Sequence, residues 1–143
     1  MHWRMEVIEN VFGQTPSKRL LAATRRYYRQ NIADGLCIAV VAEMDDTGAG
    51  CGAICLAEEL PTPDNPSGKC AYLTNIYVRK EYRRRGVGHA IVRWLVDKAR
   101  QSGCDRIYLE AADGHSGIGF TELTGIMKYA DPHNSESEGS VGQ

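Results

Sequence analysis

Three stretches of the chain carry apolar residues at the spacing of an amphipathic helix. They are residues 4–12, 16–33 and 87–102. Thr15 and Pro16 predict an N-cap followed by proline at the first position of the second helix. The apolar face of that helix is predicted to hold Leu20, Leu21, Thr24, Tyr27, Tyr28 and Ile32. Gly103 predicts the C-terminal end of the third helix.

Five runs of apolar, β-branched and aromatic residues predict strands. They are residues 36–43, 51–58, 71–78, 106–111 and 125–130. The first two flank residues 45–50, which predict a hairpin connection. The third contains no Gly or Pro, and we expect it to be buried on both faces. The proline-rich residues 61–68 predict an exposed loop.

The length and composition predict one domain. The chain has 143 residues, of which 43% are hydrophobic, so it can bury a core of its own. We place this domain at residues 1–130. Residues 131–143 are polar and rich in Ser and Gly, which predicts a disordered tail.

Two further features bear on location and on metals. No apolar stretch has the length of a membrane helix and the N-terminus does not open a signal peptide, so we expect a cytoplasmic chain with no membrane partner. The five cysteines are odd in number and none has C-x-x-C spacing. We therefore expect buried free thiols in a reducing compartment and no metal.

The segment between the third predicted strand and the third helix carries the clearest chemical signal. Gly86 and Gly88 lack a Cβ, so a ligand can approach the backbone there. The first amides of the following helix have no intrahelical acceptor and attract anions. Basic residues surround them with a local excess of four positive charges: Arg79, Lys80, Arg83, Arg84 and Arg85, against Glu81. The alternative is that the glycines only allow tight packing and the arginines form a solvated face.

The spacing around these glycines excludes two common phosphate-binding loops. A P-loop requires Lys and then Ser or Thr after its last Gly, but His89 and Ala90 follow Gly88. A dinucleotide fingerprint requires Gly or Ala where this chain has Ile91. The remaining pattern is R-x-x-G-x-G, at residues 83–88.

This pattern, placed between a strand and a helix, resembles the acetyl-CoA signature of the GNAT superfamily of N-acyltransferases. The order of elements from residue 6 to residue 111 is also similar to that of the superfamily. The resemblance implies an α/β (α+β) fold with a central mixed, mostly antiparallel sheet flanked by helices. Superfamily members usually begin with a strand before the first helix, and we expect that strand to be missing here.

The resemblance implies transfer of an acetyl group from acetyl-CoA to a primary amine of a small molecule or peptide, by direct attack. It implies that backbone groups of Ile76, Tyr77 and Val78 pair with the pantetheine arm. It further implies that Arg83 and the amides after it hold the pyrophosphate: Arg84, Arg85, Gly86, Val87, Gly88 and His89.

An amine acceptor is mostly protonated at neutral pH, so the transfer requires a base. Glu110 and Glu43 lie near strand ends and are the first candidates for this base, and Glu58 and Glu59 are the second choice. His115 is a candidate proton carrier. The superfamily commonly places a tyrosine before a Gly-Phe pair. If Gly119-Phe120 is that pair, the tyrosine is missing; the alternative register uses Gly125-Ile126 and also lacks it.

Two other functions are compatible with the sequence. The first is a coenzyme A-binding regulatory or catalytically decayed module without transfer activity, which the missing tyrosine and strand favour. The second is nucleic-acid binding through residues 79–85 and the basic second helix. The net charge of −1 and the sequence pI of 6.4 argue against a nucleic-acid partner. The sequence leaves homodimerisation open.

Overall fold

Three helices and four strands make up the part of the chain that this computed structural model describes, residues 1–109 and Phe120. In chain order they are α1 (His2–Val11), α2 (Lys18–Ala33), β1 (Cys37–Met44), β2 (Thr47–Glu58), β3 (Lys69–Val78), α3 (Val87–Gln101) and β4 (Arg106–Leu109). One turn of 3₁₀ helix, Lys80–Tyr82, lies between β3 and α3. The predicted strand 125–130 and tail 131–143 lie outside the described residues.

The four strands form one sheet in the order β1-β2-β3-β4. β1 pairs with β2 and β2 with β3 in antiparallel fashion, whereas β4 runs parallel to β3. The parallel pair requires a crossover, and α3 supplies it. The mixed, mostly antiparallel sheet predicted from the sequence is therefore confirmed.

The hydrophobic core lies between α3 and one face of the sheet. Leu95 and Val92 of α3 are fully buried against Ile54 of β2 and Leu73 of β3. Burying one such aliphatic side chain contributes about 1.5–3 kcal/mol. The helix lies so close to β2 that a Cβ on Gly52 would stand 2.6 Å from Cγ2 of Ile91. Gly103, just past the end of α3, has the left-handed φ of +82° expected after a helix.

Helix α2 covers the opposite face only loosely, and the prediction of its N-cap was wrong. The N-cap is Ser17, not Thr15 followed by Pro16, because the Ser17 hydroxyl accepts a hydrogen bond from the Leu20 amide at 3.1 Å. None of the predicted apolar face is buried, and Ile32 is 50% exposed. The helix stands away from the sheet and leaves a cavity beneath it. No described helix combines the length and apolar character of a membrane span.

The connection between β1 and β2 is shorter than predicted. Asp45 and Asp46 have φ values of +53° and +62°, which is the geometry of a two-residue type I′ turn. Thr47 already pairs with Met44, so residues 47–50 belong to β2 and not to the hairpin connection.

Two expectations around β3 were also wrong. The face of β3 that holds Tyr72 and Thr74 is only partly covered, since both residues are exposed although Cys70 on the same face is buried. The loop at 61–68 is not wholly exposed, since Asn65 is completely buried and donates from Nδ2 to Oε1 of Glu59 at 2.7 Å. This contact holds the loop against the sheet.

Candidate active site

A β-bulge opens the second half of β3. Ala53 pairs with Thr74 and Cys51 pairs with Tyr77, so β3 carries one residue more than β2 in this interval. Asn75 has a left-handed φ of +59° there, and Nη1 of Arg4 donates to its Oδ1 at 3.0 Å. Helix α1 therefore stabilises the bulge through Arg4.

Beyond the bulge, one edge of β3 is open within the described part of the chain. The last pair between β3 and β4 is Leu73 with Leu109, whereas β3 continues to Val78. The predicted pantetheine-contacting residues Ile76, Tyr77 and Val78 lie on this half-exposed segment. An extended ligand with amide groups can add to such an edge as a further strand does.

The loop after β3 aims a row of backbone amides at solvent. Arg84 and Gly86 have φ values of +63° and +81°, and α3 starts immediately afterwards at Val87. The first closed bond of the helix runs from the Ala90 amide to the Gly86 carbonyl at 3.0 Å. Among the described residues, the N–H groups of residues 84–89 meet no acceptor. Six consecutive free donors at a helix N-terminus form a site for phosphate oxygens.

The two signature glycines have different roles. Gly86 provides the left-handed turn, and a Cβ there would meet no described atom within 4 Å. Gly88 faces the sheet, where its Cβ would stand 3.5 Å from Cγ2 of Val78. Only Gly86 thus lies toward the open side of the loop. Val87 contributes its amide alone, because its side chain is buried in the core.

Not every predicted cation belongs to this loop. Arg79 does not, because its Nε and Nη2 each lie 3.0 Å from the Glu6 carboxylate and its Nη1 donates to the Gly48 carbonyl. Arg83 donates from Nε to the Val78 carbonyl at 3.0 Å and so holds the loop to the strand end. Arg84 and His89 are exposed beside the free amides. Arg85 is also exposed, with Nη1 3.7 Å from Sδ of Met44.

A cavity of about 390 Å³ lies next to the bulge, between α1, α2 and the sheet. Its lining includes Arg4, Tyr27, Tyr28, Cys37, Cys55 and Asn75. Burial raises the pKa of both Tyr27 and Tyr28, so their hydroxyls remain protonated at neutral pH. Among the described lining residues there is one cation, Arg4, and no carboxylate. The wall therefore offers hydrogen-bond donors to a ligand.

The predicted catalytic carboxylates do not meet at this cavity. Glu43 is exposed near the end of the edge strand β1 and is not part of the lining. Glu110 and His115 lie outside the described residues. Glu59 lies at the other end of the sheet, where Asn65 and the Tyr108 hydroxyl at 2.8 Å donate to it and lower its pKa. That carboxylate anchors a loop.

Sequence reasoning did not predict that these residues line a cavity. Tyr27 and Tyr28 belonged to a predicted apolar face, and Cys37 and Cys55 to the predicted buried thiols; Cys55 is in fact only half-buried. Arg4 had no predicted role. No local motif joins residues so far apart along the chain. Within the described residues, no three His, Cys, Asp or Glu side chains are grouped as a metal site requires.

Comparison with solved structures agrees with this fold. A crystal structure of a predicted acetyltransferase with acetyl-CoA from Clostridium acetobutylicum superposes with a TM-score of 0.78 at 23% identity, covering 90% of this chain and 84% of that one. Glucosamine-6-phosphate N-acetyltransferase from Arabidopsis thaliana gives a TM-score of 0.65 at 18% identity, covering 90% and 91%.

Sequence comparison also finds acetyltransferases. Thialysine N-epsilon-acetyltransferase from Sus scrofa is 31% identical in a match that covers 48% of this chain and 55% of that protein. The chain thus spans about half the length of the curated relatives it matches. Residues 5–125 match the model of the acetyltransferase (GNAT) family. That match covers most of the chain, which therefore belongs to the acetyltransferase (GNAT) family.

Proposed function

We propose that this chain is an acetyl-CoA-dependent N-acetyltransferase that acts on a primary amine of a small molecule or peptide by direct attack. The observation that carries the proposal is the row of amides at residues 84–89, which meet no acceptor among the described residues and follow a strand edge that no described strand covers. Acetyl-CoA fits both features, because its pyrophosphate can accept hydrogen bonds from the amides and its extended pantetheine arm can pair with the strand edge. Membership of the GNAT family agrees with this ligand.

The chain's own groups have distinct tasks in binding. The amides of residues 84–89 donate to the pyrophosphate oxygens, and the exposed Arg84 and Arg85 add positive charge around them. Backbone groups of residues 76–78 pair with the amides of the pantetheine arm. Acetyl-CoA, when bound, supplies the thioester that the amine attacks.

The cavity beside Asn75 is the proposed acceptor site. It adjoins the open edge of β3 through the bulge, and it is of a size that admits a small molecule. The porcine relative's name describes acetylation of the Nε atom of thialysine, which is consistent with a side-chain amine as acceptor.

Freeing the amine requires a base, because only about 0.04% of a group with pKa near 10.4 is neutral at pH 7. We keep Glu110, Glu43 and His115 as candidates. Replacing each separately, as Glu110→Gln, Glu43→Gln and His115→Ala, tests them. Loss of the base lowers kcat and shifts the acidic limb of the pH profile, whereas a surface residue changes neither. The exposed position of Glu43 predicts that its variant stays active.

The experiment that tests the function is an acetyl-CoA-dependent thiol-release assay against a panel of primary amines, alongside calorimetric titration with acetyl-CoA. We expect heat on titration and release that depends on both substrates. Arg84→Glu should weaken acetyl-CoA binding, whereas Arg93→Glu, an exposed reversal farther along α3, should not. No heat at high micromolar acetyl-CoA would overturn the proposal. Binding without turnover of any amine would point to the coenzyme A-binding module.

A further inference from the structure

Cys37 and Cys55 face each other across the β1–β2 pair. The Leu56 amide donates to the Leu36 carbonyl at 2.8 Å, which makes the neighbouring pair a hydrogen-bonded one. Because the two kinds of pair alternate, Cys37 and Cys55 form a non-hydrogen-bonded pair, in which Cα atoms stand about 4.5 Å apart. Disulfides span Cα separations of about 4.4–6.8 Å. The backbone therefore already has a spacing that a disulfide accepts.

The two thiols differ in chemical state. Cys55 accepts a hydrogen bond from Cys37 and another from the Tyr27 hydroxyl at 2.9 Å, and these bonds lower the pKa of Cys55 to about 6 although burial opposes them. The same bond to Cys55 and burial raise the pKa of Cys37. One member of the pair is thus a thiolate at neutral pH while the other keeps its proton.

Small molecules can reach the pair from the cavity. Both cysteines line the space of about 390 Å³, and Cys55 is only half-buried although Cys37 is 3% exposed. The other three cysteines have raised pKa values, chiefly through burial: Cys51, Cys70 and Cys104. In β1 and β3 the register partners of Cys51 are Val41 and Tyr77, so it has no cysteine opposite.

We propose that Cys37 and Cys55 form a thiol-exchange site that reacts with low-molecular-weight disulfides of the glutathione class. The Cys55 thiolate attacks one sulfur of the small disulfide, and the other sulfur leaves as a thiolate that takes up a proton. Cys37 then loses its proton and attacks Sγ of Cys55, which releases the second small thiol. The protein dithiol is oxidised to one disulfide and the small disulfide is reduced to two thiols.

The expected rate follows from the thiolate fraction. At pH 6 about half of Cys55 is ionised, against about 0.3% of an ordinary thiol with pKa near 8.5. The lower basicity of the thiolate reduces its nucleophilicity by about tenfold. We therefore expect Cys55 to react roughly ten times faster than an ordinary thiol at pH 6.

The test uses the full, reduced chain with oxidised glutathione at pH 6, followed by alkylation and peptide mass spectrometry. The expected product is a Cys37–Cys55 cross-link with the other cysteines alkylated. Cys37→Ser should stop at a glutathione adduct on Cys55, and Cys55→Ser should give neither product. Cys104→Ser, another half-buried cysteine, is the matched control and should behave as the natural chain does. Melting curves establish that each variant is folded.

Three results would overturn the proposal: a cross-link that joins other cysteines, reaction of Cys55 no faster than of Cys104, or an adduct in the natural chain that Cys37 does not resolve. The cross-link in the unaltered chain tests it even if a variant fails to fold. A consequence that rests on the proposed function is that oxidation raises the KM for the amine and leaves the KM for acetyl-CoA unchanged. Failure of that kinetic result alone would count against the acceptor site, not against the exchange reaction.

Discussion

Replacement of Gly86 separates the conformational role of this residue from its position toward the proposed pyrophosphate. Gly86 has a φ of +81°, and a Cβ built on it meets no described atom within 4 Å. Both Gly86→Ala and Gly86→Glu must hold an L-residue in the left-handed region, which costs roughly 1–2 kcal/mol. We expect the two variants to fold and to lose similar stability, because neither meets a steric clash.

The variants should differ in acetyl-CoA binding. The added carboxylate points into the open side of the loop, where its repulsion of a phosphate charge about 4 Å away lies between ~1 kcal/mol in water and ~4 kcal/mol near a protein surface. A middle value of about 2 kcal/mol corresponds to a loss of roughly 30-fold in affinity relative to Gly86→Ala. The difference should shrink as salt is added, since the charges are exposed.

Calorimetric titration of acetyl-CoA at low and high salt measures this difference, and denaturant unfolding measures the shared loss of stability. Equal affinities of Gly86→Ala and Gly86→Glu would show that the loop does not face the pyrophosphate. A much larger loss of stability in Gly86→Glu would show that the open space beside Gly86 is filled in the folded chain.

Three further predictions concern stability. Gly52→Ala should cost about 1–3 kcal/mol in denaturant unfolding, because its Cβ would press on the α3 side chains against β2; unchanged stability would mean that α3 can shift. Ser17→Ala should cost about 1 kcal/mol through loss of the α2 cap, with Thr15→Ala as the unaffected control. The lowered pKa of Glu59 means that its ionised form stabilises the fold at neutral pH and that this contribution is lost as the pH falls below about 4. Glu59→Gln should therefore unfold with a weaker dependence on acid pH than the natural chain, and equal dependence would contradict the role of that carboxylate.

The elements that were predicted correctly are specified by residues that lie close together in the sequence. The apolar spacing from Val87 to Ala99 and the left-handed Gly103 specify α3 within a few turns of chain. The R-x-x-G-x-G loop likewise depends on neighbouring residues, because Gly86 permits the turn that leaves the next amides unpaired. Such signals can be read from sequence because each one involves backbone angles and contacts within one segment.

Glycines in β2 misled the prediction for a physical reason. Gly48 and Gly50 were assigned to a turn, but they lie in the strand where other parts of the fold come close. A Cβ on Gly48 would stand 2.6 Å from Cζ2 of Trp3, and one on Gly50 would stand 2.7 Å from the Tyr77 carbonyl oxygen. A glycine needed for close approach and one needed for a turn look the same in a sequence.

By itself the sequence determined the family and the glycine-containing loop before α3, since both reside in one continuous segment with its own backbone requirements. The tertiary structure alone decided which distant side chains meet. It paired Arg79 with Glu6, 73 residues away, and so removed that cation from the loop. It also brought Tyr27, Cys37 and Cys55 to one cavity wall. The β1–β2 register places Cys37 opposite Cys55, and the loose packing of α2 on the sheet places Tyr27 beside Cys55. Register and helix placement depend on the packing of the whole sheet, which no single segment encodes.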